Sequence, residues 1–344
     1  MTSEPTQHRK ETMKAIKFET SHLAHVVEIP KPEPAPGNVV LRVTSTGVCG
    51  SDLSALHGTH LFRHPPLISG HEGGGVVEAI GEGVTTASIG DRVVIDPQKP
   101  CGTCELCTTG KYHLCANKTM LGVPEWDGCF ADYVEVPAYT LIPAPDNVPD
   151  QFLALAEPIA VAAHAVRQTE GRRRDTALVL GGGTIGSLIT RVLSDTGSTV
   201  TTSEPREFLH ETIRQLGATT VTTPENLGDD LYDAVFIVAG VGALVQQAFA
   251  HCKPGGVIVQ VAVFNHDVPI HVGKLQVAEQ AFVGTATYQK QDFATALDLL
   301  DRYPNIPELI VSKVTGMEEG AALTTTMAED GPGDILKLII VPSM

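Results

Sequence analysis

The chain has 344 residues, room for two domains, and carries 40 acidic against 24 basic side chains for a net charge of −16. That balance argues against nucleic acid and anionic membrane surfaces as partners, because both recruit basic patches. No apolar run is long enough to cross a bilayer, and the polar start "MTSEPTQHRKET" has no apolar signal core. The start therefore reads as a disordered lead, and the protein as cytoplasmic, where thiols stay reduced.

A strand pattern begins at Met13 with "MKAIKF". From there to about residue 150 the chain is rich in Gly, Pro and short β-branched runs: "NVVLRVTS", "GGGVVEAIG", "DRVVID" and "FADYVEVP". Period-2 runs broken by turn residues predict an all-β, barrel-like unit. Inside it Cys101, Cys104, Cys107 and Cys115 fall within fifteen residues. In a reducing compartment such a cluster binds metal rather than forming disulfides, and the odd total of seven cysteines agrees. Two residues between thiolates aim both sulfurs at one ion, and a closed four-thiolate tetrahedron suits structural zinc. An iron–sulfur cluster is the competing reading. Neither leaves a position for substrate, so the chemistry is expected elsewhere.

After "PAPDNVPDQ" the character changes. "LALAEPIAVAAHAV" reads as helix, and "TALVLGGGTIGSLITRVLSDTGSTVTTSEP" as strand, Gly-rich turn, helix and strand. "DAVFIVAG" and "GGVIVQVAVF" are continuous apolar runs of the kind found in buried parallel strands. "DFATALDLLDRY" is an amphipathic helix, and "GDILKLIIVP" at the end is strand-like again. The fold class is α/β: a β domain, a doubly wound parallel-sheet domain, and a return to β.

Gly181, Gly183 and Gly186 stand in G-x-G-x-x-G spacing directly after an apolar strand and at the head of a helix that opens with Thr184 and Ile185. That context makes the motif a dinucleotide site. Gly181 turns the chain, Gly183 lets backbone approach the pyrophosphate, and Gly186 lets helix and strand pack closely. The pyrophosphate is expected on the free N–H groups of the helix start. Glu204, at the end of the second strand, is placed to accept from both ribose hydroxyls and to repel a 2′-phosphate, which favours NAD. Arg206, two residues on, leaves NADP open. The bland readings are an ordinary tight turn and a solvated strand end.

Three stretches hold metal-ligand residue types away from the thiolate cluster. "GVCGSDL" carries Cys49, Ser51 and Asp52, "SGHEGGG" carries His71 and Glu72, and "AEPIAVAAHA" carries Glu157. A thiolate, an imidazole and a carboxylate make an open zinc site with a place for water or substrate. Zinc with one thiolate and one carboxylate is about neutral, so it still acidifies an alcohol; Glu157 would make the set anionic and fits better as an exchangeable or water-linked ligand. Against this stand a buried small Cys49, a core histidine at His71 and a surface charge at Glu72.

In this order "GVCGSDL", "GHEGGGVVEAIGEGV", "GDRV", the four-cysteine lobe, "GCFADYVEVP", "AEPIAVAAHAV" and "LGGGTIG" resemble the zinc-dependent medium-chain alcohol dehydrogenase family from about Met13 to the end. The resemblance implies a GroES-like catalytic domain over 13–160 with a zinc lobe at about 97–118, a Rossmann NAD-binding domain over 161–299, and a C-terminal return to the catalytic domain over 300–344. It implies two zinc ions per chain. One is held by Cys49, His71 and Glu72, with Glu157 as the fourth ligand in the polyol branch; the other is held by Cys101, Cys104, Cys107 and Cys115. Ser51 resembles the hydroxyl that passes the substrate proton toward the cofactor ribose, and Asp52 the partner that orients the His71 ring. Ser54 stands where the commoner pattern has a histidine that ends the proton relay; His57 is a nearby substitute, and solvent reaching the ribose is the preferred route. Backbone around Val238 and around Val261 to Val263 is expected to meet the nicotinamide. "HGTHLFRHPP" and "TATYQKQD", with His60, His64 and Tyr288, are candidates for the substrate pocket.

The expected activity is hydride transfer between a secondary alcohol of a polyol, sugar or cyclitol and NAD. The partner is then a small-molecule alcohol or ketone. A threonine 3-dehydrogenase-like amino-alcohol enzyme is the first alternative. A zinc- and NAD-binding regulator without turnover is the alternative of another class. Resemblance to the polyol branch implies a homo-oligomer, a tetramer or else a dimer.

Overall fold

Short β-branched runs in the first half of the chain become a largely antiparallel framework. A computed structural model describes residues 11–264 and 266–344; residues 1–10 of the expected disordered lead and Asn265 lie outside the described residues, whereas Thr12, also expected in the lead, opens a strand. The chain divides into two compact units, the first of Met1–Lys99, Asn117–Ala154 and Lys313–Met344, the second of Pro100–Ala116 and Leu155–Ser312.

In the first unit strand Thr12–Thr20 lies between Leu23–Pro30 and Leu67–Ile68 in a three-stranded sheet. A seven-stranded sheet runs from Leu141–Pro143 through Arg92–Ile95, Glu72–Ile80, Asn38–Gly47 and Leu338–Ile340 to Lys313–Thr315, with Tyr133–Pro137 also pairing Asn38–Gly47. Its central strands depart from clean alternation. Val39, Val40 and Leu41 are all buried, because this strand is covered on both faces. The C-terminal run expected as a strand enters this sheet, with Ile339 opposite Gly47, while Gly47 faces Glu72 on its other side. That register brings Glu72 near the end of the chain.

The second unit holds a six-stranded parallel sheet in the order Thr220–Thr222, Thr199–Ser203, Thr176–Leu180, Tyr232–Ile237, Cys252–Gln260, Ala281–Gly284. This is the doubly wound order 3-2-1-4-5-6, and ligands in such sheets bind at the carboxyl ends of the strands where the order reverses. The apolar runs become its centre: Ala177 to Leu180 and Ala234 to Ile237 are wholly buried. Helix Thr184–Asp195 follows the first strand, with Gly183 as its N-cap. A Cβ on Gly186 would overlap the carbonyl oxygen of Gly181, so strand end and helix start can meet only with glycine there. Among the described residues no helix is long and apolar enough to cross a membrane.

Gly186→Ala should therefore force strand and helix apart. Overpacking of this kind costs about 1–3 kcal/mol. Thermal unfolding should show a lower Tm and titration a weaker affinity for dinucleotide; a variant with wild-type values of both would contradict the close approach.

Candidate metal and cofactor sites

Cys49 caps helix Gly50–His57, and its backbone N–H donates to Asp52 Oδ2 at 2.9 Å. The cap fixes the thiol at the mouth of the helix. His71 and Glu72 come from the turn into strand Glu72–Ile80. One donor atom from each of Cys49, His71 and Glu72 lies within 4.8 Å of the others, and both His71 and Glu72 are buried. A thiolate, an imidazole and a carboxylate gathered this closely fit a zinc ion, with room for a further ligand.

The charges around them decide what such an ion can do. Asp52 is fully buried, and its Oδ1 accepts from Ser69 Oγ at 2.6 Å and from Arg63 Nη1 at 3.3 Å. Burial alone would raise the Asp52 pKa, but His71, Arg63 and Ser69 outweigh it and hold the carboxyl well below its usual range. Asp52 Oδ1 lies 3.5 Å from His71 Nδ1, as expected of a partner to that ring, yet Arg63 Nη1 is closer to the same nitrogen, at 2.9 Å. A guanidinium cannot accept, so Arg63 and Asp52 together, not Asp52 alone, set which nitrogen carries the proton. Arg63 also donates to Ser51 Oγ at 3.2 Å and to the Leu121 carbonyl at 3.4 Å. Glu72 Oε2 is paired with the buried Lys337 Nζ, which also donates to the Val48 carbonyl at 3.0 Å. A Cβ on Gly47 would overlap both the Glu72 carboxylate and the Lys337 stem, so the pair occupies the space the missing side chain leaves. Cys49, Glu72 and Asp52 bring three negative charges when ionised, and Arg63 and Lys337 two positive. A divalent ion would leave the cluster one charge positive, more acidifying than the neutral set expected from the ligands alone.

The four clustered cysteines converge in the second unit, their sulfurs all within 4.8 Å of one another. Cys104 and Cys107 lie 3.4 Å apart; Cys101–Cys107 and Cys104–Cys115 are 3.8 Å apart. A disulfide needs about 2.05 Å. A tetrahedron with zinc–sulfur bonds of about 2.3 Å has sulfur–sulfur edges of about 3.8 Å. The spacing leaves room for one ion and not for a multi-iron cluster. The N–H groups of Thr103 and Cys104 draw the Cys101 thiol down to about 6, whereas burial and the neighbouring Cys104 push Cys107 up to about 12. Without a cation the four cannot all be thiolates, so metal entry would expel protons.

The cofactor motif sits at the switch point of the parallel sheet. Gly181 has φ 108°, and Gly183, Thr184, Ile185 and Gly186 form the turn and first helical residues. A pocket of about 670 Å³ is lined by Gly181, Ser203, Glu204, Arg206, Ala239 and Leu244 among others. Glu204 is buried; its Oε2 accepts from Gly182 N at 2.8 Å and Arg206 Nη2 at 3.2 Å, and its Oε1 from Arg206 N at 3.0 Å and Nε at 2.7 Å. Burial would raise its pKa, but the Arg206 and Gly182 donors prevail and lower it. Val238 and Val261 fall at strand ends, their N–H groups bonded to Leu180 and Ile237 carbonyls. Val263 lies further out and is 80% exposed.

Residues 35–146 match the Alcohol dehydrogenase GroES-like domain, and residues 184–302 match the Zinc-binding dehydrogenase family. The 2-dehydro-3-deoxy-L-galactonate 5-dehydrogenase of Pseudoalteromonas atlantica is 34% identical over 80% of this chain and 84% of its own. The chain belongs to the zinc-dependent medium-chain alcohol dehydrogenase family. The L-threonine 3-dehydrogenase of Thermococcus kodakarensis is 32% identical over 77% of this chain and 79% of its own. Among solved structures, a zinc-binding dehydrogenase of Sinorhizobium meliloti bound to NADP is 27% identical with a TM-score of 0.90, covering 97% of this chain and 100% of its own. The RspB protein of Escherichia coli complexed with NADH is 26% identical with a TM-score of 0.88, covering 96% and 99%.

Several features of this dehydrogenase escaped the sequence. Lys337 left a trace, a lone charge inside the apolar run "ILKLIIVP". Arg63, in a loop without periodicity, left none. His57 closes the far end of its helix with its ring against His22, and the side chain on Ser51 is Arg63. His60 Nδ1 accepts the Arg63 N–H at 3.2 Å; burial and the Arg63 charge lower its pKa to about 4. Tyr288 is buried against Phe293, and its hydroxyl donates to Glu157 Oε1 at 2.5 Å.

Lys337→Met should strand the Glu72 carboxylate. Breaking a buried pair costs about 3–5 kcal/mol. Chelated protein should show most of that loss, and zinc-loaded protein much less, because the ion replaces the lysine as counter-charge. Equal losses in both states by thermal unfolding would contradict this.

Proposed function

We propose that this dehydrogenase oxidises a secondary alcohol on a polyol, sugar or sugar-acid substrate, or reduces the matching ketone, with NAD as the hydride partner. The convergence of Cys49, His71 and Glu72 beside the buried cations Arg63 and Lys337 carries this reading. These three residues would hold the catalytic zinc, with Glu157 as the fourth ligand, and Cys101, Cys104, Cys107 and Cys115 would hold a second, structural zinc. Bound there, zinc supplies the Lewis acidity that lowers the pKa of the substrate alcohol.

The remaining work falls to side chains. A serine hydroxyl has two acceptor sites and one proton. Arg63 occupies one acceptor site of Ser51, which leaves one to take the substrate proton and the O–H to pass a proton on. Ser54 Oγ bonds back to the Gly50 carbonyl at 3.0 Å, and neither it nor His57 is a strong candidate for the next step, which favours solvent. Glu204 supports NAD over NADP, since a 2′-phosphate beside this carboxylate would be repelled. Arg206 is occupied with Glu204 and would have to leave it to meet a phosphate.

The sugar-acid dehydrogenase relative, together with the probable D-xylulose reductase of Aspergillus clavatus at 29% identity over 86% of this chain, supports the polyol and sugar class. The L-threonine 3-dehydrogenase relatives support an amino-alcohol substrate as the second reading. A homo-oligomer is supported by strand Ala281–Gly284, which is the outermost of its sheet among the described residues, and by exposed Val263, Val272 and Val277. A cytoplasmic location is supported by seven cysteines, all free.

Purified zinc-replete enzyme should reduce NAD with at least one polyol, sugar or sugar acid in a substrate panel and be slower with L-threonine. Cys49→Ala should abolish turnover and leave about one zinc per chain. Glu204→Ala should narrow the preference for NAD by about 10-fold or more, the worth of a charged hydrogen bond. Turnover on L-threonine alone, or a wild-type preference for NADP, would contradict the substrate and cofactor assignments respectively.

A further inference from the structure

Residues 285–289 link strand Ala281–Gly284 to helix Lys290–Arg302, and 287–289 are the last three of them. Both flanks of this short link are bonded to the cysteine lobe. Thr287 Oγ1 donates to the His113 carbonyl at 3.5 Å, and the Gln289 amide donates to the Gly110 carbonyl. Thr287 has φ 48°, a conformation that costs a β-branched residue energy and persists only where surroundings enforce it. Between the flanks stands Tyr288, 1% exposed, whose hydroxyl donates to Glu157 Oε1 at 2.5 Å.

The far side of the link is equally constrained. Gln289 caps the following helix, its N–H donating to Asp292 Oδ2 at 2.8 Å. Asp292 in turn meets His164 Nδ1 at 2.8 Å and Arg167 Nε at 2.8 Å, both on helix Ala156–Arg167, which also carries Glu157. The His113 ring of the lobe packs edge-on against His164 at 4.9 Å. Lobe, link and the Glu157 helix thus close into one loop of contacts within the second unit.

We propose that Tyr288 is a positioning residue for Glu157, and that the cysteine lobe serves catalysis by holding Tyr288 in place. This rests on the reading of Glu157 as a ligand of the catalytic zinc. The phenol engages Oε1 and fixes the plane in which the carboxylate is presented to the ion or its water. A carboxylate held this way cannot rotate freely or bind the ion through both oxygens without breaking the short bond. An orienting partner of a ligand is worth about 10- to 100-fold in metal affinity or activity. The lobe gains a task beyond stability: its fold sets the height of residues 287–289, and so of the phenol.

The test uses full-length enzyme with cobalt(II) in the catalytic site, reading its visible absorption, with kcat and KM alongside. Variants are Tyr288→Phe, which keeps the ring, Glu157→Gln, their double variant, and Gln289→Ala, which loosens the link from the lobe. Tyr288→Phe should shift the cobalt spectrum in the same direction as Glu157→Gln and lower kcat about 10-fold with KM for NAD unchanged. The double variant should be no worse than Glu157→Gln alone, and Gln289→Ala should give a smaller shift of the same kind. If Glu157→Gln shifts the spectrum but Tyr288→Phe leaves it at wild type, the positioning role is overturned while the ligand reading stands; a lower Tm alone for Tyr288→Phe counts the same way. If Tyr288→Phe fails to fold, Gln289→Ala decides, since a wild-type spectrum there removes the lobe from the mechanism. If Glu157→Gln leaves the spectrum unchanged, the ligand reading falls and the positioning role with it.

Discussion

Gathering two buried carboxylates beside a half-buried thiol in one small space is possible only if cations are buried with them. Asp52 and Glu72 are closed off from water, and each is met by a cation equally closed off: Arg63 for the first, Lys337 for the second. Uncompensated, either carboxylate would protonate or keep the site from closing. Much of the first unit follows from this need. The chain must return at its end so that the strand opening at Leu338 lies beside Gly47, because that register carries Lys337 to Glu72. Gly47 must lack a side chain because the ion pair fills its place. The loop with Arg63 must fold inward, against Ser51, Asp52 and His71, although nothing in its pattern demands it.

The second unit obeys a separate constraint, the close approach of backbone to a dinucleotide. Its sheet order creates the crevice, Gly181 and Gly186 shape the turn, and Glu204 is held rigid by Arg206 and by Gly182. The same unit carries the four-cysteine lobe and the Tyr288–Glu157 bond. The cysteine lobe and the Glu157 carboxylate are thereby linked through one short segment of chain.

The strands, the Gly-rich turn and the four-cysteine cluster were legible because each rests on local spacing, whereas Cys49 stands 22 residues before His71 and was joined to His71 and Glu72 through the family resemblance. Period-2 runs, G-x-G-x-x-G after an apolar strand, and two-residue gaps between cysteines are properties of neighbours in sequence. The counter-charges were not legible, since Lys337 reaches Glu72 across most of the chain and Arg63 sits in an irregular loop. Tyr288 was read only as a candidate substrate contact, because its partner Glu157 is 131 residues away. His57 looked close to the relay by count along the chain, yet it stands at the opposite end of its helix. A residue's distance in sequence says little about direction once a helix begins.

Cys49, His71 and Glu72 would hold one metal ion, at which an alcohol is activated, and the four cysteines of the lobe a separate one. Anomalous diffraction recorded at the zinc edge from crystals of zinc-replete enzyme with NAD tests this most directly. Two peaks per chain are predicted, one enclosed by Cys101, Cys104, Cys107 and Cys115 and the other bounded by Cys49, His71 and Glu72. A single peak confined to the lobe, in protein that still turns over an alcohol, would contradict the account.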